Sequence, residues 1–263
     1  MAIRAAQAAS AVIRSCFHTP MTSYSKGDND FATSADIAAE KTILAMISEA
    51  RPGDRFIGEE SGGSGTATSD RVWLIDPLCG TRNFAAGTPH VAVNIATRVG
   101  TSITTAVAAD PFTEEVFWAD GDGAWIRRDG HDLALTPDAD TRLVEVNLDY
   151  WIHHEGGFDP TRLLADRTFN ATFGTRVLST TLAVAWVAAG RRAAYVTDGD
   201  LRDSVHFASG IALCEAAGCV VTGLIGQPID APPYGLVAAA DAKTHATLVE
   251  IIAGQLGSKA TTR

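Results

Sequence analysis

Lysines and long apolar runs are scarce in this sequence of 263 residues. Lysine occurs only at Lys26, Lys41, Lys243 and Lys259, and the formal net charge at pH 7 is -10. Because no basic stripe is available to neutralise a nucleic-acid backbone, binding to long polyanions is not expected. No apolar run approaches the roughly 18 residues that a membrane-spanning helix needs, so the sequence predicts a soluble protein without a membrane partner.

Cysteines are also few, and their spacing does not indicate disulfide bonds. They are Cys16, Cys79, Cys214 and Cys219, which lie far apart or in apolar surroundings and form no CxxC motif. This usage is typical of reduced thiols and not of a disulfide framework, so the sequence predicts a cytoplasmic protein.

The remaining composition is that of an ordinary globular protein. Hydrophobic residues make up 46% and charged residues 20%, and the length suffices for one large domain or two packed lobes. An acidic protein can still act on a small phosphorylated substrate when bound cations supply the missing positive charge. Carboxylates that could hold such cations are therefore the first candidates for function.

Apolar spacing and turn residues predict a first lobe of helices against a sheet, over residues 1–140. Helices are predicted over Met1–Cys16 and Asp36–Ala50, the second with Ser34 or Asp36 as its N-cap, and Ser23–Ser34 is predicted to be an exposed loop. Strands are predicted over Arg55–Gly58, Val72–Ile75, Val91–Val99, Ser102–Ala109, Glu115–Trp118 and Gly123–Arg127, with a loop over Gly62–Ser69.

In a second lobe, over residues 141–263, strands and helices are expected to alternate. Strands are predicted over Leu143–Asn147, Ala171–Phe173 and Ala193–Thr197, and helices over Thr180–Ala189 and Phe207–Ala217. The boundary between the lobes is expected in segment 136–141, where Pro, Asp and Ala interrupt the pattern. The fold class is therefore α/β.

Two acidic residues follow predicted apolar strands. Glu59 comes after Arg55–Gly58 and Asp76 after Val72–Ile75, each beside a glycine or proline. Hard divalent cations bind such carboxylate oxygens, although acidic residues at strand ends are more often simply solvated. By spacing alone, a metal site here is the less frequent of the two interpretations.

The complete motifs favour the metal site. Ile57–Ser61 has the sequence IGEES and Trp73–Phe84 has the sequence WLIDPLCGTRNF, and together they resemble the paired signatures of the inositol monophosphatase-like, metal-dependent sugar phosphatases. The resemblance extends to Asp30–Thr33 with Asp36, Pro89–Ala96, Arg176–Ser179 and Phe207–Gly218. It implies a layered α-β-α-β-α sandwich that hydrolyses a small phosphate monoester with a metal-activated water.

The resemblance also implies roles for individual residues. Glu59, Asp76 and the main-chain carbonyl of Leu78 match the first metal site, which is expected to hold Mg²⁺. Thr81 and Asp36 match the pair that polarises the attacking water. Candidate substrate-binding residues are Gly80 and Thr81, through their main-chain amides, together with Arg176, Ser179, Asp198 and Asp200.

Two positions depart from the family pattern, and both belong to its second metal site. Cys79 stands where the family motif has an aspartate, and Val205-His206 stands where it has Trp-Asp. The second donor set becomes Asp76, Cys79 and His206, which suits Mg²⁺ poorly. Three outcomes stay open: an empty second position, a softer ion such as Zn²⁺ or Mn²⁺, or occupation by substrate groups.

Cys79 and His206 also have alternative interpretations. Cys79 could be a nucleophile at a helix start, but the sequence lacks the longer loop with which cysteine phosphatases hold phosphate. His206 could be the general acid for the leaving group, or a histidine that only packs at a helix start. These interpretations are not separated by the sequence.

The sequence therefore predicts a phosphoric monoester hydrolase acting on a small polyol, sugar or nucleoside phosphate. The alternative is a catalytically silent or weakly active relative that binds a phosphorylated small molecule. The resemblance further implies a homodimer.

Overall fold

The computed structural model describes residues 1–27, 30–149, 158–201 and 203–259, with only the backbone for residues 258 and 259. The chain divides into two compact units. The first contains Met1–Ala134, Thr180–Leu182 and Asp203–Ala216, and the second contains Leu135–Ser179, Ala183–Arg202 and Ala217–Arg263. The first unit thus recruits two short segments from the second half of the sequence.

The described residues contain eight helices and fifteen strands. The helices are α1 (Ala2–Cys16), α2 (Ser34–Ala50), α3 (Thr81–Ala85), α4 (Pro160–Ala165), α5 (Arg167–Thr172), α6 (Leu182–Ala188), α7 (Ala208–Ala217) and α8 (Ala242–Lys259). The strands are β1 (Ser23–Gly27), β2 (Asp30–Thr33), β3 (Arg55–Gly58), β4 (Gly62–Gly65), β5 (Arg71–Cys79), β6 (Ala92–Val99), β7 (Ser102–Ala109), β8 (Val116–Asp120), β9 (Gly123–Arg128), β10 (His131–Ala134), β11 (Leu143–Val146), β12 (Gly174–Arg176), β13 (Ala194–Asp198), β14 (Val220–Thr222) and β15 (Gly235–Ala239).

Helices α1 and α2 pack together on one core of the first unit. Small residues recur on the buried face of α1, where Ala5 and Ala9 lie one turn apart and Ile13 follows one turn later. The N-cap of α2 is Thr33, and not Ser34 or Asp36 as predicted. Its hydroxyl accepts a hydrogen bond from the Ala35 amide while Asp36 accepts one from the Thr33 amide, which forms a capping box.

The sheet of the first unit has eight strands in the order β10-β9-β8-β7-β6-β5-β3-β4. All neighbouring strands are antiparallel except β3 and β5, which run parallel. The four strands predicted between residues 91 and 127 are confirmed as β6 to β9, which form an antiparallel meander with β10 at its edge. Strand β5 is longer than predicted because it runs on to Cys79, with an irregularity in its pairing between Asp76 and Cys79.

Two predicted loops of the first unit contain strands. Segment 23–34 holds β1 and β2, which pair antiparallel, and segment 62–69 begins with β4, which pairs with β3. Both predictions were wrong because these segments are polar or rich in glycine and lack the alternation of apolar residues that indicates a strand. Their strands are held by main-chain hydrogen bonds, which do not require apolar side chains.

The second unit has a five-stranded sheet in the order β12-β11-β13-β15-β14. Its core is formed around Val144, Phe169 and Val196. The strand predicted over Ala171–Phe173 is wrong, because α5 occupies these positions up to Thr172 and its N-cap Asp166 accepts a hydrogen bond from the Phe169 amide. The strand begins only at Gly174.

Among the helices of the described residues, none combines the length and the apolar character that crossing a membrane requires.

Candidate active site

Parallel pairing brings two strand ends of the first unit to the same edge. Gly58 at the end of β3 lies opposite Ile75 of β5, so that Glu59 and Asp76 are the next residues of two neighbouring strands. The Glu59 amide donates to the Ile75 carbonyl at 3.0 Å. Because parallel strands end on the same side of a sheet, the two predicted carboxylates lie together there.

A lysine that the motif analysis missed contacts one of these carboxylates. The Lys26 ammonium of β1 lies 2.9 Å from Glu59 Oε1 and 2.7 Å from Glu60 Oε1. Burial and the neighbouring charge of Asp76 raise the pKa of Glu59 to about 8, although Lys26 opposes this shift. Lys26 lies 33 residues before Glu59, so no spacing in the sequence indicated this contact.

Thr81 and Asp36 form a direct pair. Thr81 Oγ1 donates to Asp36 Oδ1 at 2.8 Å, and also lies 3.2 Å from the Leu78 carbonyl oxygen. The amide and the hydroxyl of Thr33 both donate to the other carboxylate oxygen of Asp36. Burial raises the pKa of Asp36, and the hydrogen bonds from Thr33 and Thr81 offset this only in part. The Asp36 carboxylate is therefore a proton acceptor held in a fixed position, with the Thr81 hydroxyl bound to one of its oxygens.

The turn after β5 presents main-chain groups. The Leu78 side chain is buried, and the Leu78 amide donates to Asp76 Oδ1 at 3.2 Å. Gly80 caps the five-residue helix α3 with φ of 101°, a conformation that an L side chain would resist. The same turn thus supplies the Leu78 carbonyl and the amides of Gly80 and Thr81 that the sequence predicts to be used.

Asp76, Cys79 and His206 converge beside this turn, and we call these three residues the soft-donor cluster. Their ligand atoms all lie within 4.8 Å of one another. His206 Nδ1 is 2.8 Å from Asp76 Oδ2 and 4.0 Å from Glu59 Oε2. The structure thus brings together the two residues that depart from the family pattern, although they lie far apart in the sequence.

The electrostatics of the soft-donor cluster follow from its burial. Burial and the charge of Asp76 raise the pKa of the Cys79 thiol to about 11. Burial lowers the pKa of His206, but the charge and the hydrogen bond of Asp76 outweigh it and leave that pKa well above its ordinary value. Without a bound ion, both shifts favour the protonated forms of Cys79 and His206.

Three further polar residues surround the soft-donor cluster, and sequence reasoning missed their roles. The Thr181 amide and hydroxyl both donate to Cys79 Sγ, at 3.3 and 3.0 Å. Asn94 Nδ2 donates to Thr181 Oγ1 at 2.8 Å, and Ser209 Oγ donates to Asn94 Oδ1 at 3.0 Å. Asn94, a lone amide in the apolar run of β6, was the visible signal, but its pairing opposite Asp76 depends on strand register.

The segment that precedes His206 and α7 contacts the sheet of the first unit. Arg98 of β6 forms an ion pair with Asp203, whose φ of 55° lies in the left-handed region. The side chain of Val205 packs against Val72 and Leu74. These contacts hold the backbone at the third and first positions before His206.

The other predicted substrate-binding residues belong to the second unit. Arg176 Nη1 donates to the Thr175 carbonyl at 2.7 Å, and Ser179 Oγ donates to a carboxylate oxygen of Asp149. Asp198 is buried at the end of β13, and Asp200 is exposed. The substrate-binding role of Arg176, Ser179, Asp198 and Asp200 stays a prediction.

The two donor sets differ in the ions that they fit. Glu59, Asp76 and the Leu78 carbonyl offer only oxygen, which is what Mg²⁺ prefers. Cys79 and His206 of the soft-donor cluster offer sulfur and nitrogen, and this set does not fit Mg²⁺. Only the first set is therefore suited to the ion that the family resemblance implies.

Several known proteins are similar to this chain in sequence and architecture. A sequence model of the inositol monophosphatase family matches residues 1–255. Inositol-1-monophosphatase of Caulobacter vibrioides is 33% identical over 230 residues, which cover 86% of this chain and 88% of that protein. Nus factor SuhB of Escherichia coli K12 is 35% identical over 237 residues, which cover 86% of this chain and 85% of that protein.

A solved structure agrees as well. The extragenic suppressor protein suhB from Bartonella henselae superposes with a TM-score of 0.82 at 28% identity, and the match covers 95% of this chain and 96% of that one. The predicted α/β class and family resemblance are therefore confirmed.

Proposed function

The chain belongs to the inositol monophosphatase family, and from this membership we propose that it hydrolyses a small phosphate monoester with the help of a divalent cation. One observation carries the proposal. The Thr81 hydroxyl lies 2.8 Å from Asp36 Oδ1 and 3.2 Å from the Leu78 carbonyl oxygen, which is one of the groups that would hold the cation.

The chain's own residues prepare the attacking water. Because Thr81 Oγ1 donates its proton to Asp36, the lone pairs of the same oxygen are available to accept a proton from water. As the water oxygen forms its bond to phosphorus, that proton passes to Thr81 while the Thr81 proton moves to Asp36. The ester oxygen leaves as the phosphorus–oxygen bond breaks, and it takes a proton from solvent.

Thr33 keeps Asp36 in place for this transfer. Its amide and hydroxyl both bind Asp36 Oδ2, which leaves Oδ1 for Thr81. A carboxylate held by the capping box of α2 cannot rotate without breaking the start of the helix. The geometry of proton acceptance is therefore set before substrate binds.

Glu59, Asp76 and the Leu78 carbonyl are the proposed ligands of the cation, with Mg²⁺ as its identity. When bound there, the ion supplies a lowered pKa for a neighbouring water and positive charge for the phosphoryl oxygens. We propose that the second, altered donor set takes a softer ion.

Phosphate is proposed to rest on the amides of Gly80 and Thr81, with Arg176, Ser179, Asp198 and Asp200 as further substrate contacts. The name of the Caulobacter relative suggests inositol 1-phosphate as the first substrate to test, within a wider class of polyol, sugar and nucleoside phosphates. The homodimer and the cytoplasmic location stay predictions.

Phosphate release from a panel of such esters tests the proposal. The protein is stripped with a chelator and then supplied with Mg²⁺, Mn²⁺ or Zn²⁺, alone and in pairs, with circular dichroism as the control for folding. We expect release that depends on added cation. Folded protein that releases no phosphate with any ester or ion combination contradicts the proposal.

The soft-donor cluster favours a second candidate function, the binding of a phosphorylated small molecule without turnover. Cys79 and His206 replace two carboxylates of the family's second metal site. Because catalysis in the family is metal-dependent, such a change could abolish activity while a phosphorylated ligand still binds. Calorimetric binding of inositol 1-phosphate without any product would favour this candidate over hydrolysis.

A further inference from the structure

The soft-donor cluster has the geometry of a metal centre. One carboxylate oxygen, one thiol sulfur and one imidazole nitrogen lie within 4.8 Å of one another, from Asp76, Cys79 and His206. Asp76 is fully buried, and the other two are partly exposed. The three ligand atoms are therefore close enough together to contact one ion.

The chemistry of the donors selects the class of ion. Mg²⁺ requires oxygen ligands in nearly octahedral geometry and keeps several waters, which a sulfur and a nitrogen donor do not satisfy. Zn²⁺ binds cysteine sulfur, histidine nitrogen and aspartate oxygen together, usually in tetrahedral geometry. Because a thiolate and a neutral imidazole are the forms that bind Zn²⁺, metal binding at such ligands releases protons.

The outer contacts support a thiolate and not a packed thiol. Thr181 donates twice to Cys79 Sγ, from its amide and from its hydroxyl. Asn94 orients that hydroxyl, and Ser209 in turn orients Asn94. All three outer residues are buried. Their hydrogen bonds form one connected network that orients the Thr181 hydroxyl toward Cys79 Sγ.

We infer that Asp76, Cys79 and His206 form a three-ligand site for Zn²⁺ or a similarly thiophilic ion, with Thr181, Asn94 and Ser209 as its outer support. Three protein ligands leave a fourth position for water or a substrate oxygen, as in catalytic zinc sites and unlike structural ones. The inference rests on the proposed function only through Asp76, which the hard-cation set also uses.

Cobalt spectroscopy of the full-length protein tests the inference. Co²⁺ is titrated into chelator-treated protein, and we expect a near-ultraviolet sulfur-to-cobalt absorption band that saturates at one equivalent. Zn²⁺ should abolish the band by displacement, whereas Mg²⁺ in large excess should leave it. Absence of the band in the wild-type protein, or its loss on addition of Mg²⁺, overturns the inference.

Cysteine variants assign the band to one sulfur. Cys79→Ser should lose it, and the matched control Cys219→Ser should keep it, because Cys219 follows α7 and is no member of the cluster. A band that persists in folded Cys79→Ser protein overturns the inference. His206→Asn provides a second variant, which should weaken Co²⁺ binding and shift the visible cobalt bands.

The outer support has its own readout. Thr181→Val removes the hydroxyl donor to Cys79 but keeps the amide, and should weaken Co²⁺ binding by about 10–100-fold. Thr181→Ser restores the hydroxyl and should restore the affinity, which a purely structural role of the side chain would not require. Equal affinity in Thr181→Val and wild-type protein contradicts the outer part of the inference.

Activity measurements separate this inference from the proposed function. A cobalt band without phosphate release from any ester supports the zinc site and contradicts hydrolysis. Phosphate release with Mg²⁺ alone and no cobalt band supports hydrolysis and overturns the zinc site.

Discussion

The two halves of the candidate site differ in how far they follow the family pattern. One half, which we call the water-activating half, consists of Thr81 and Asp36 beside the oxygen donors Glu59, Asp76 and Leu78, and every residue type matches. The other half is the soft-donor cluster, where two carboxylates have been replaced. The difference teaches that the two proposed donor sets would share one residue, Asp76, although the other donors of each set are chemically different.

The replacement is also coordinated. Cys79 lies in the β5 turn and His206 lies before α7, yet both side chains meet the same carboxylate, and Thr181 supplies the donors that a thiolate needs. A site that had merely decayed would not require these matched contacts. The comparison therefore favours a changed ion requirement over simple loss.

The largest expected effect comes from the water-activating half. Thr81→Ala removes the hydroxyl that joins water to Asp36 and should lower kcat by about 10²–10⁴-fold, as losses of positioned proton transfer do. Thr81→Ser keeps the hydroxyl and should retain most of the activity. Steady-state phosphate release with Mg²⁺ measures both variants, and equal activity of Thr81→Ala and wild-type protein would remove this half from the mechanism.

The next effect comes from restoring the family pattern in the other half. The double variant Cys79→Asp with His206→Asp turns the soft-donor cluster into an all-oxygen set. We expect its Zn²⁺ affinity to fall by at least about 10-fold and its demand for Mg²⁺ to rise to two ions per chain. Calorimetric titration of each ion measures this change, and an unchanged ion preference would show that the two halves do not differ in the way proposed.

A smaller effect concerns the backbone that leads to His206. Asp203 has φ of 55° and pairs with Arg98, so both Asp203→Ala and Asp203→Gly lose the ion pair, but only alanine suffers the left-handed strain. The free energy of unfolding should be about 1 kcal/mol lower for alanine than for glycine. Chemical denaturation measures the difference, and its absence would mean that this segment relaxes freely.

The smallest effect is a shift of the acid limb of the pH profile. Burial raises the pKa of Asp36 above its ordinary value, and the carboxylate must be ionised to accept a proton. Activity should therefore fall with decreasing pH at a higher pH than an exposed aspartate would give. Measurements of kcat against pH with Mg²⁺ test this, and Asp36→Asn should lose most of the activity at every pH because it lacks the proton acceptor.

The same folded-state shift has a consequence for stability. Because folding raises the pKa of Asp36, the native state binds a proton more tightly than the unfolded state, so this group lowers stability as pH rises above its unfolded pKa. Denaturation of wild-type and Asp36→Asn protein at several pH values should show a steeper fall of stability with rising pH in the wild-type protein, because the variant keeps the contribution of Glu59 and loses only that of Asp36.

Much of the site could be predicted because its residues lie in short, contiguous motifs. Glu59, Asp76, Leu78, Gly80 and Thr81 sit at the ends of two apolar strands, and strand ends are visible in a sequence. Lys26 and Thr181 could not be placed in the same way. Lys26 lies in a polar segment with no apolar pattern, and Thr181 lies in a predicted helix about a hundred residues after Cys79, so only the folded chain gives their distances to Glu59 and Cys79.

The amino-acid sequence by itself determined the family, the α/β class and the chemical types of the donors, since these depend on local patterns and on side-chain identity. Only the tertiary structure decided that Cys79, His206 and Thr181 share one carboxylate neighbourhood, because contacts across more than a hundred residues follow from strand register and packing. A motif fixes which atoms are offered, and the fold fixes which of them an ion can reach together.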